Sequence, residues 1–152
     1  MKVNIVAVGK IKETFFTDAI REYAKRLSKF CEFRVTEVEE ATSLTNLQQK
    51  QEKEGDLLLS KAKGYIIALD GGGKQISSED LAKTLDDNMT AGVSEFSFLI
   101  GGSNGLSDKV KKCANQVISF GKITFPHQLF RVVLSEQIYR AFTIINHINY
   151  HK

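Results

Sequence analysis

Short runs of apolar residues alternate along the chain with longer segments of helical spacing. The apolar runs cover residues 3–8, 32–38, 65–69, 95–100 and 116–119. The predicted helices between and after them cover residues 13–29, 44–61 (with a bend near Gly55), 78–88, 107–114 and 127–148. Strands separated by helices in this way are typical of a parallel sheet. The sequence therefore predicts a single α/β domain over residues 1–152.

The composition, 42% hydrophobic and 26% charged residues, is that of a globular protein and not of a disordered chain. No apolar run approaches the roughly 18–20 residues that a membrane-spanning helix needs, and the stretch before Gly9 is too short for a signal peptide. Cys31 and Cys113 alone make neither a disulfide framework nor a four-ligand zinc site. We expect a cytoplasmic protein with reduced, packed thiols, no metal and no membrane association.

Positive charge is concentrated in the last third of the chain. The net charge is +3 overall, but residues 109–152 carry seven basic residues against Glu136 alone, a net +6, which leaves −3 on the residues before them. All three histidines lie in the same basic part. This asymmetry favours an anionic partner, and a solvated basic surface is an equal alternative.

Three loops are predicted at the carboxyl edge of the sheet, where parallel sheets bind ligands. They follow Leu69, Ile100 and Ser119. Glycines in the first two allow the backbone to approach a flat ligand such as an adenine nucleoside, although turns alone also explain them. The third loop leads into a helix N-terminus that carries a histidine and an arginine. The sequence contains neither a dinucleotide fingerprint nor a phosphate-binding loop.

The segment Gly101-Gly102-Ser103-Asn104-Gly105 also matches the nucleophile motif of serine hydrolases, and Glu136 and His147 follow it in the order that those enzymes use. In that motif the chain turns straight into a helix, whereas here Ser107 is the next predicted helix cap. Hydrolysis is therefore a minor alternative.

The final predicted helix has apolar residues on nearly all of its sides. One sheet covers only one face of a helix, so we expect a second copy of the chain to cover the rest in a symmetric homodimer. The alternative is a central helix that is wrapped by its own chain.

Several motifs together resemble the RlmH (YbeA) family of SPOUT methyltransferases. The most specific is Thr124-Phe125-Pro126-His127-Gln128-Leu129-Phe130-Arg131, continued by Glu136-Gln137-Ile138-Tyr139-Arg140-Ala141 and closed by Tyr150-His151. Val6-Ala7-Val8-Gly9-Lys10, Leu69-Asp70, Gly73-Lys74, Ser77-Ser78-Glu79 and Phe98-Leu99-Ile100-Gly101-Gly102 match as well. The resemblance covers essentially the whole chain. One departure is Ile148-Asn149, where the family often has a proline, so the path of the tail is less defined.

The resemblance implies a parallel-sheet SPOUT fold with a C-terminal trefoil knot, a homodimer, and methylation of N3 of a pseudouridine in 23S ribosomal RNA on the assembled ribosome. It implies S-adenosylmethionine as the methyl donor. Carried over by position, the cofactor-binding residues are Leu69, Gly101, Phe120, Gly121, Lys122, Ile123, Thr124 and Phe125. A non-catalytic RNA-binding or ribosome-binding module with the same fold is the alternative.

Transfer to N3 of a uracil ring requires loss of its proton or stabilisation of the resulting anion, which a nearby cation favours. The residue types that can do this are His127, Arg131, Arg140, Tyr150 and His151. Each has a structural alternative: Arg140 pairs with Glu136 one turn earlier, His127 caps its helix, or the tail is frayed. The sequence does not identify a single general base.

Overall fold

Five parallel strands form one sheet in the computed structural model, which describes residues 1–152. They are β1 (Lys2–Val8), β2 (Glu32–Val38), β3 (Tyr65–Gln75), β4 (Glu95–Ile100) and β5 (Gln116–Ser119). Their order across the sheet is β2-β1-β4-β3-β5, and every neighbouring pair is parallel. The predicted α/β class with a parallel sheet is confirmed.

Five helices connect and follow the strands: α1 (Thr14–Leu27), α2 (Leu47–Lys61), α3 (Ser78–Thr90), α4 (Asp108–Cys113) and α5 (His127–Ile145). Helix α5 packs between α1 and α3 on one face of the sheet, while α2 and α4 pack together on the other. Parallel strands need such crossovers, which cover both faces of the sheet. None of the helices combines the length and apolar character that crossing a bilayer requires.

Strand β1 lies inside the sheet and contributes to the core on both faces. Val3, Ile5 and Ala7 belong to the apolar cluster under α1, α3 and α5. Val6 and Val8 belong to the cluster under α2 and α4. This alternation follows from the period of two in a strand, and burial on both sides explains why the run is continuously apolar.

The glycines after Leu69 do not form the predicted loop. Strand β3 continues to Gln75, and its register against β5 shifts between Leu69 and Lys74. A Cβ on Gly73 would lie 2.8 Å from backbone atoms of Val117, so Gly73 allows close contact with the neighbouring strand. Sequence reasoning took the glycines for a loop because glycine is depleted in strands.

Two helices also differ from prediction. Helix α2 begins at Leu47, after the Asn46 cap, and is unbroken at Gly55, where a Cβ would lie 2.6 Å from Ser107 Oγ. Gly55 therefore serves close packing and not a bend. Helix α5 follows Pro126 and ends at Ile145, before the predicted Ile148.

Both cysteines are free thiols, but only one of them is packed. Cys31 is buried, and burial raises the pKa of its thiol to about 11. Cys113 is exposed at the end of α4, which corrects the expectation that both are packed.

Arg131, in the first turns of α5, is 1% exposed and joins that helix to β1 and β2, at the side of the sheet opposite β5. Its guanidinium donates to the carbonyl oxygens of Val8 (2.8 Å) and Gly9 (2.9 Å) at the end of β1. It also forms an ion pair of 2.8 Å with Glu37 at the end of β2. The segment after β5 must therefore cross from the sheet edge, past the ends of β3 and β4, to reach β1.

We expect Arg131→Met to destabilise the protein by about 3 kcal/mol, because the Val8 and Gly9 carbonyls and the Glu37 carboxylate lose their partner. Urea denaturation measures the change. Arg21→Met is the control, since Arg21 pairs with Asp18 on an exposed face of α1, and exposed pairs contribute little. Equal stability losses in the two variants would contradict this role of Arg131.

Candidate functional site

A cavity of about 310 Å³ opens at the carboxyl edge of the sheet. The middle of β3 (residues 69–71), the end of β4 with the loop after it, the end of β5 with the segment after it, and the start of α5 form its walls. All of the residues predicted to bind a cofactor line it: Leu69, Gly101, Phe120, Gly121, Lys122, Ile123, Thr124 and Phe125. The structure therefore brings together three segments that are far apart in the sequence.

The loop after β4 is a tight turn that only glycine permits at its base. Gly105 donates a backbone hydrogen bond of 3.0 Å to the Gly102 carbonyl, and the two residues form an isolated antiparallel bridge. A Cβ on Gly101 would lie 2.7 Å from backbone atoms of Gly105. Backbone atoms at this wall are therefore close to any molecule that enters the cavity.

The segment after β5 presents apolar side chains around a second tight turn. Ser119 Oγ accepts from the Gly121 amide at 3.1 Å, and Gly121 has a φ of +116°, which favours glycine. Phe120 packs against Phe130 of α5, with ring centroids 5.3 Å apart. Ile123 is 78% exposed at the cavity. An apolar side chain in this position offers contact area to a ligand.

Polar groups at the cavity are few. His127 lines it at the start of α5 and is exposed. Asp70 accepts from the Gly72 amide at 3.0 Å and lies 3.7 Å from the Lys111 amine. Sequence reasoning did not single out Asp70, although its place directly after the buried part of β3 marks it as a residue of the carboxyl edge.

Arg140, Tyr150 and His151 do not line this cavity, and they form a separate cluster on α5 and the C-terminal tail. Arg140 Nε is 2.6 Å from Glu136 Oε1, and its Cζ lies 4.8 Å from the centre of the Tyr150 ring. His151 Nε2 is 2.7 Å from Glu79 Oε1. The tail is therefore docked against α3 and α5 and not frayed.

The contacts of His151 assign its tautomer. Arg140 NH1 lies 3.1 Å from His151 Nδ1. Because a guanidinium only donates, Nδ1 must accept, and Nε2–H donates to Glu79. This geometry requires a neutral imidazole.

Three ionisable groups around the tail have shifted pKa values. The hydrogen bond with His151 lowers the pKa of Glu79 below its usual value. Pairing with Glu136 raises the pKa of Arg140. Burial raises the pKa of the Tyr150 phenol, which therefore stays protonated at neutral pH. The cluster therefore holds one permanent cation, Arg140, which is paired with the Glu136 carboxylate, beside the imidazole of His151 and a neutral phenol.

A smaller cavity of about 220 Å³ lies between the first cavity and the Arg140 cluster. It shares Phe120 and Phe125 with the first cavity, and Ser78 and Gln137 form part of its wall. Ser78 Oγ donates to Gln137 Oε1 at 2.6 Å. Gln137 Nε2 also donates to Glu136 Oε1 at 3.4 Å, which connects this wall to the carboxylate that pairs with Arg140.

Arg131 does not line the cavity, because its guanidinium binds the end of β1 and Glu37.

The residues of the hydrolase motif are not arranged for hydrolysis. Ser103, Glu136 and His147 make no hydrogen bonds with one another, and Glu136 is bound to Arg140. His147 lies beyond α5, exposed, with a φ of 56°.

Comparison with known proteins agrees with this architecture. A family model described as "Predicted SPOUT methyltransferase" matches residues 1–151. Curated relatives named ribosomal RNA large subunit methyltransferase H are 49% identical in Limosilactobacillus reuteri and 47% identical in Clostridium botulinum, with both chains fully covered.

Solved structures agree with the fold. A probable methylase family protein from Haemophilus influenzae superposes with a TM-score of 0.60 over 99% of this chain and 70% of its own, at 11% identity. At that identity the likeness concerns the fold alone. The family match and the relatives over the full chain decide the assignment: the chain belongs to the SPOUT methyltransferase family, in the group of ribosomal RNA large subunit methyltransferase H proteins.

Proposed function

We propose that this protein transfers the methyl group of S-adenosylmethionine to N3 of a pseudouridine in 23S ribosomal RNA, on the assembled ribosome in the cytoplasm. The observation that carries the proposal is the cavity at the carboxyl edge, in which the three segments expected to hold the cofactor form one wall. Family membership supplies the reaction class, and the names of the curated relatives supply the class of RNA.

The cavity fits the proposed cofactor. Its volume lies at the lower end of the range of about 300–1,000 Å³ for small-molecule sites. Backbone groups of the glycine turn at Gly101 can read the polar edge of an adenine, while Ile123 and the strand ends Leu69 and Ile118 provide apolar contact. Bound S-adenosylmethionine supplies an activated methyl group, so this chain contributes alignment and exclusion of water.

The Arg140 cluster is proposed to act on the target base. Arg140 provides a permanent positive charge that favours the N3 anion. Protonated Tyr150 can donate a hydrogen bond to a uracil carbonyl. His151 Nδ1 can accept a hydrogen bond from the base only when Arg140 moves away from it. His127, at the cavity, is the remaining candidate for substrate contact. Arg131 is proposed to position α5, because its two terminal guanidinium nitrogens bind Glu37 and the end of β1.

The active form is proposed to be a homodimer. Apolar side chains of α5 that its own chain covers only in part are Leu129, Val132, Val133, Ile144 and Ile145. Burial of such a surface by the same surface of a second copy is the common solution. A groove built from two subunits would recognise folded ribosomal RNA.

A trefoil knot is also proposed, since the chain passes the loops after β3 and β4 before α5 reaches β1.

We expect Ile123→Ala to weaken S-adenosylmethionine binding about tenfold, because the ligand loses apolar contact with an exposed side chain. Isothermal titration calorimetry measures the dissociation constant. The control is Leu47→Ala, which removes a 63% exposed side chain at the start of α2, outside the cavity. Unchanged affinity in the Ile123 variant would argue against this wall as the cofactor site.

We expect His151→Ala to reduce kcat by about 100-fold. The dissociation constant of S-adenosylmethionine should stay unchanged, since His151 does not line the cavity. Single-turnover methylation and cofactor titration separate the two effects. His147→Ala, at an exposed position near the end of α5, is the control. A variant with full kcat would contradict a role for the docked tail in catalysis.

Incubation with labelled S-adenosylmethionine and ribosomes that lack the modification tests the function directly. We expect one methyl group on 23S ribosomal RNA, mapped by mass spectrometry to N3 of a pseudouridine. Ser103→Ala should leave this transfer intact. A protein that binds ribosomes without transferring the methyl group would instead be the non-catalytic binding module.

A further inference from the structure

Glu79 is a carboxylate in the first turn of α3 that contacts the C-terminal tail through one hydrogen bond. Its side chain is 63% exposed, and its Oε1 lies 2.7 Å from His151 Nε2. Ser77 and Asp80 form a reciprocal capping box around it, which fixes the backbone of this turn. Because an exposed pair contributes little to the free energy of folding, the main consequence of the contact is for the orientation of the imidazole.

The residue before His151 docks the tail but leaves the imidazole ring free to turn. The Tyr150 ring contacts the guanidinium of Arg140, whose Cζ is 4.8 Å from the ring centre. It also contacts the Tyr139 ring, with centroids 4.9 Å apart. These contacts hold the chain beside α5. The imidazole that follows has two nitrogens, and either of them can carry the proton.

Glu79 and Arg140 bind opposite sides of that imidazole and require opposite roles of its nitrogens. The Glu79 carboxylate only accepts, so it binds His151 through Nε2–H. The Arg140 guanidinium only donates, so its NH1, at 3.1 Å, needs the lone pair of Nδ1. Only the neutral ring with its proton on Nε2 satisfies both. Without Glu79 the ring has Arg140 as its single anchor.

The guanidinium of Arg140 is in turn held from two sides. Glu136 binds its Nε at 2.6 Å and its NH2 at 3.3 Å, and His151 accepts from NH1. Three of the five guanidinium N–H groups therefore have partners within the chain, and two remain for an acceptor from outside. Because the guanidinium is planar, these contacts fix where the remaining two N–H groups lie.

We propose that Glu79 is a positioning residue that acts through His151 on the guanidinium of Arg140. The carboxylate fixes the orientation and the tautomer of the imidazole, and the imidazole fixes NH1 of the guanidinium. The cation is thereby held in advance for the anion that develops on the target base. This consequence for methyl transfer rests on the proposed function, whereas the tautomer of His151 is a property of the protein alone.

The test is a pair of variants at position 79. We expect Glu79→Ala to lower kcat about tenfold, because Arg140 loses an oriented partner, with an unchanged dissociation constant for S-adenosylmethionine. Glu79→Gln keeps an oxygen that accepts from Nε2–H, so kcat should stay within about threefold of the wild type. A role of the negative charge at the N-terminus of α3 predicts equal losses in both variants, and that result would overturn the proposal.

A double variant tests whether Glu79 acts through the imidazole. In a His151→Ala background, Glu79→Ala should cause no further loss of kcat, since the residue that transmits its effect is already absent. A further loss of about tenfold would show that the two residues act independently and would overturn the proposal. Asp86→Ala, at an exposed position of the same helix, is the control and should leave kcat unchanged.

A measurement without cofactor or RNA separates this proposal from the proposed function. In mildly alkaline buffer, the ring nitrogen resonances of His151 in ¹⁵N-labelled wild-type protein should show a protonated Nε2 and an unprotonated Nδ1. In Glu79→Ala they should move toward the average of both tautomers. A wild-type His151 with its proton on Nδ1 would overturn the role of Glu79. The expected resonances in a protein that transfers no methyl group would instead overturn the proposed function, and with it the catalytic consequence.

Discussion

The buried guanidinium of Arg131 is the interaction on which the geometry of the site depends. It binds the backbone at the end of β1 and the carboxylate of Glu37 on β2, at the side of the sheet opposite β5. Strand β5, however, lies at the edge beyond β3. Because both ends of the intervening segment are held, residues 120–126 must pass along the carboxyl ends of the strands. The cavity wall is a consequence of that path.

The two groups of predicted site residues have different physical environments. The cavity at the carboxyl edge is lined largely by glycines and apolar side chains, and its charged side chains are Asp70 and Lys122. The Arg140 cluster is built from charge-assisted hydrogen bonds and a docked tail. This division suits a reaction in which the donor is already activated and the acceptor base has to lose a proton.

Local patterns predicted much of the fold. The strands at 32–38, 95–100 and 116–119 have the predicted bounds, because short apolar runs between polar segments leave few alternatives. Strand β3 was predicted too short, since Lys74 and Gln75 pair with β5 beyond the three glycines, across a register shift that only the tertiary structure supplies. The cavity residues were found by position in a resembling family, and the meeting of their three segments follows from the parallel topology.

Long-range pairs could not be predicted in the same way. The sequence predicts Arg131 as a residue that contacts the substrate. In the fold its hydrogen-bond partners, Glu37 and Val8, lie about a hundred positions away in the chain. Glu54 has the sequence surroundings of a surface residue on a polar helix, yet it is 3% exposed in the fold. The partner of His151, Glu79, is likewise set by the docking of the tail on α3.

Titration of isotopically labelled protein with S-adenosylmethionine, followed by amide NMR, tests most directly whether the three segments form one binding site. The account predicts shifts at residues 69–71, 100–105 and 119–125 that all follow a single dissociation constant. Shifts confined to one of these segments, or centred on α2 and α4 on the opposite face of the sheet, would contradict it.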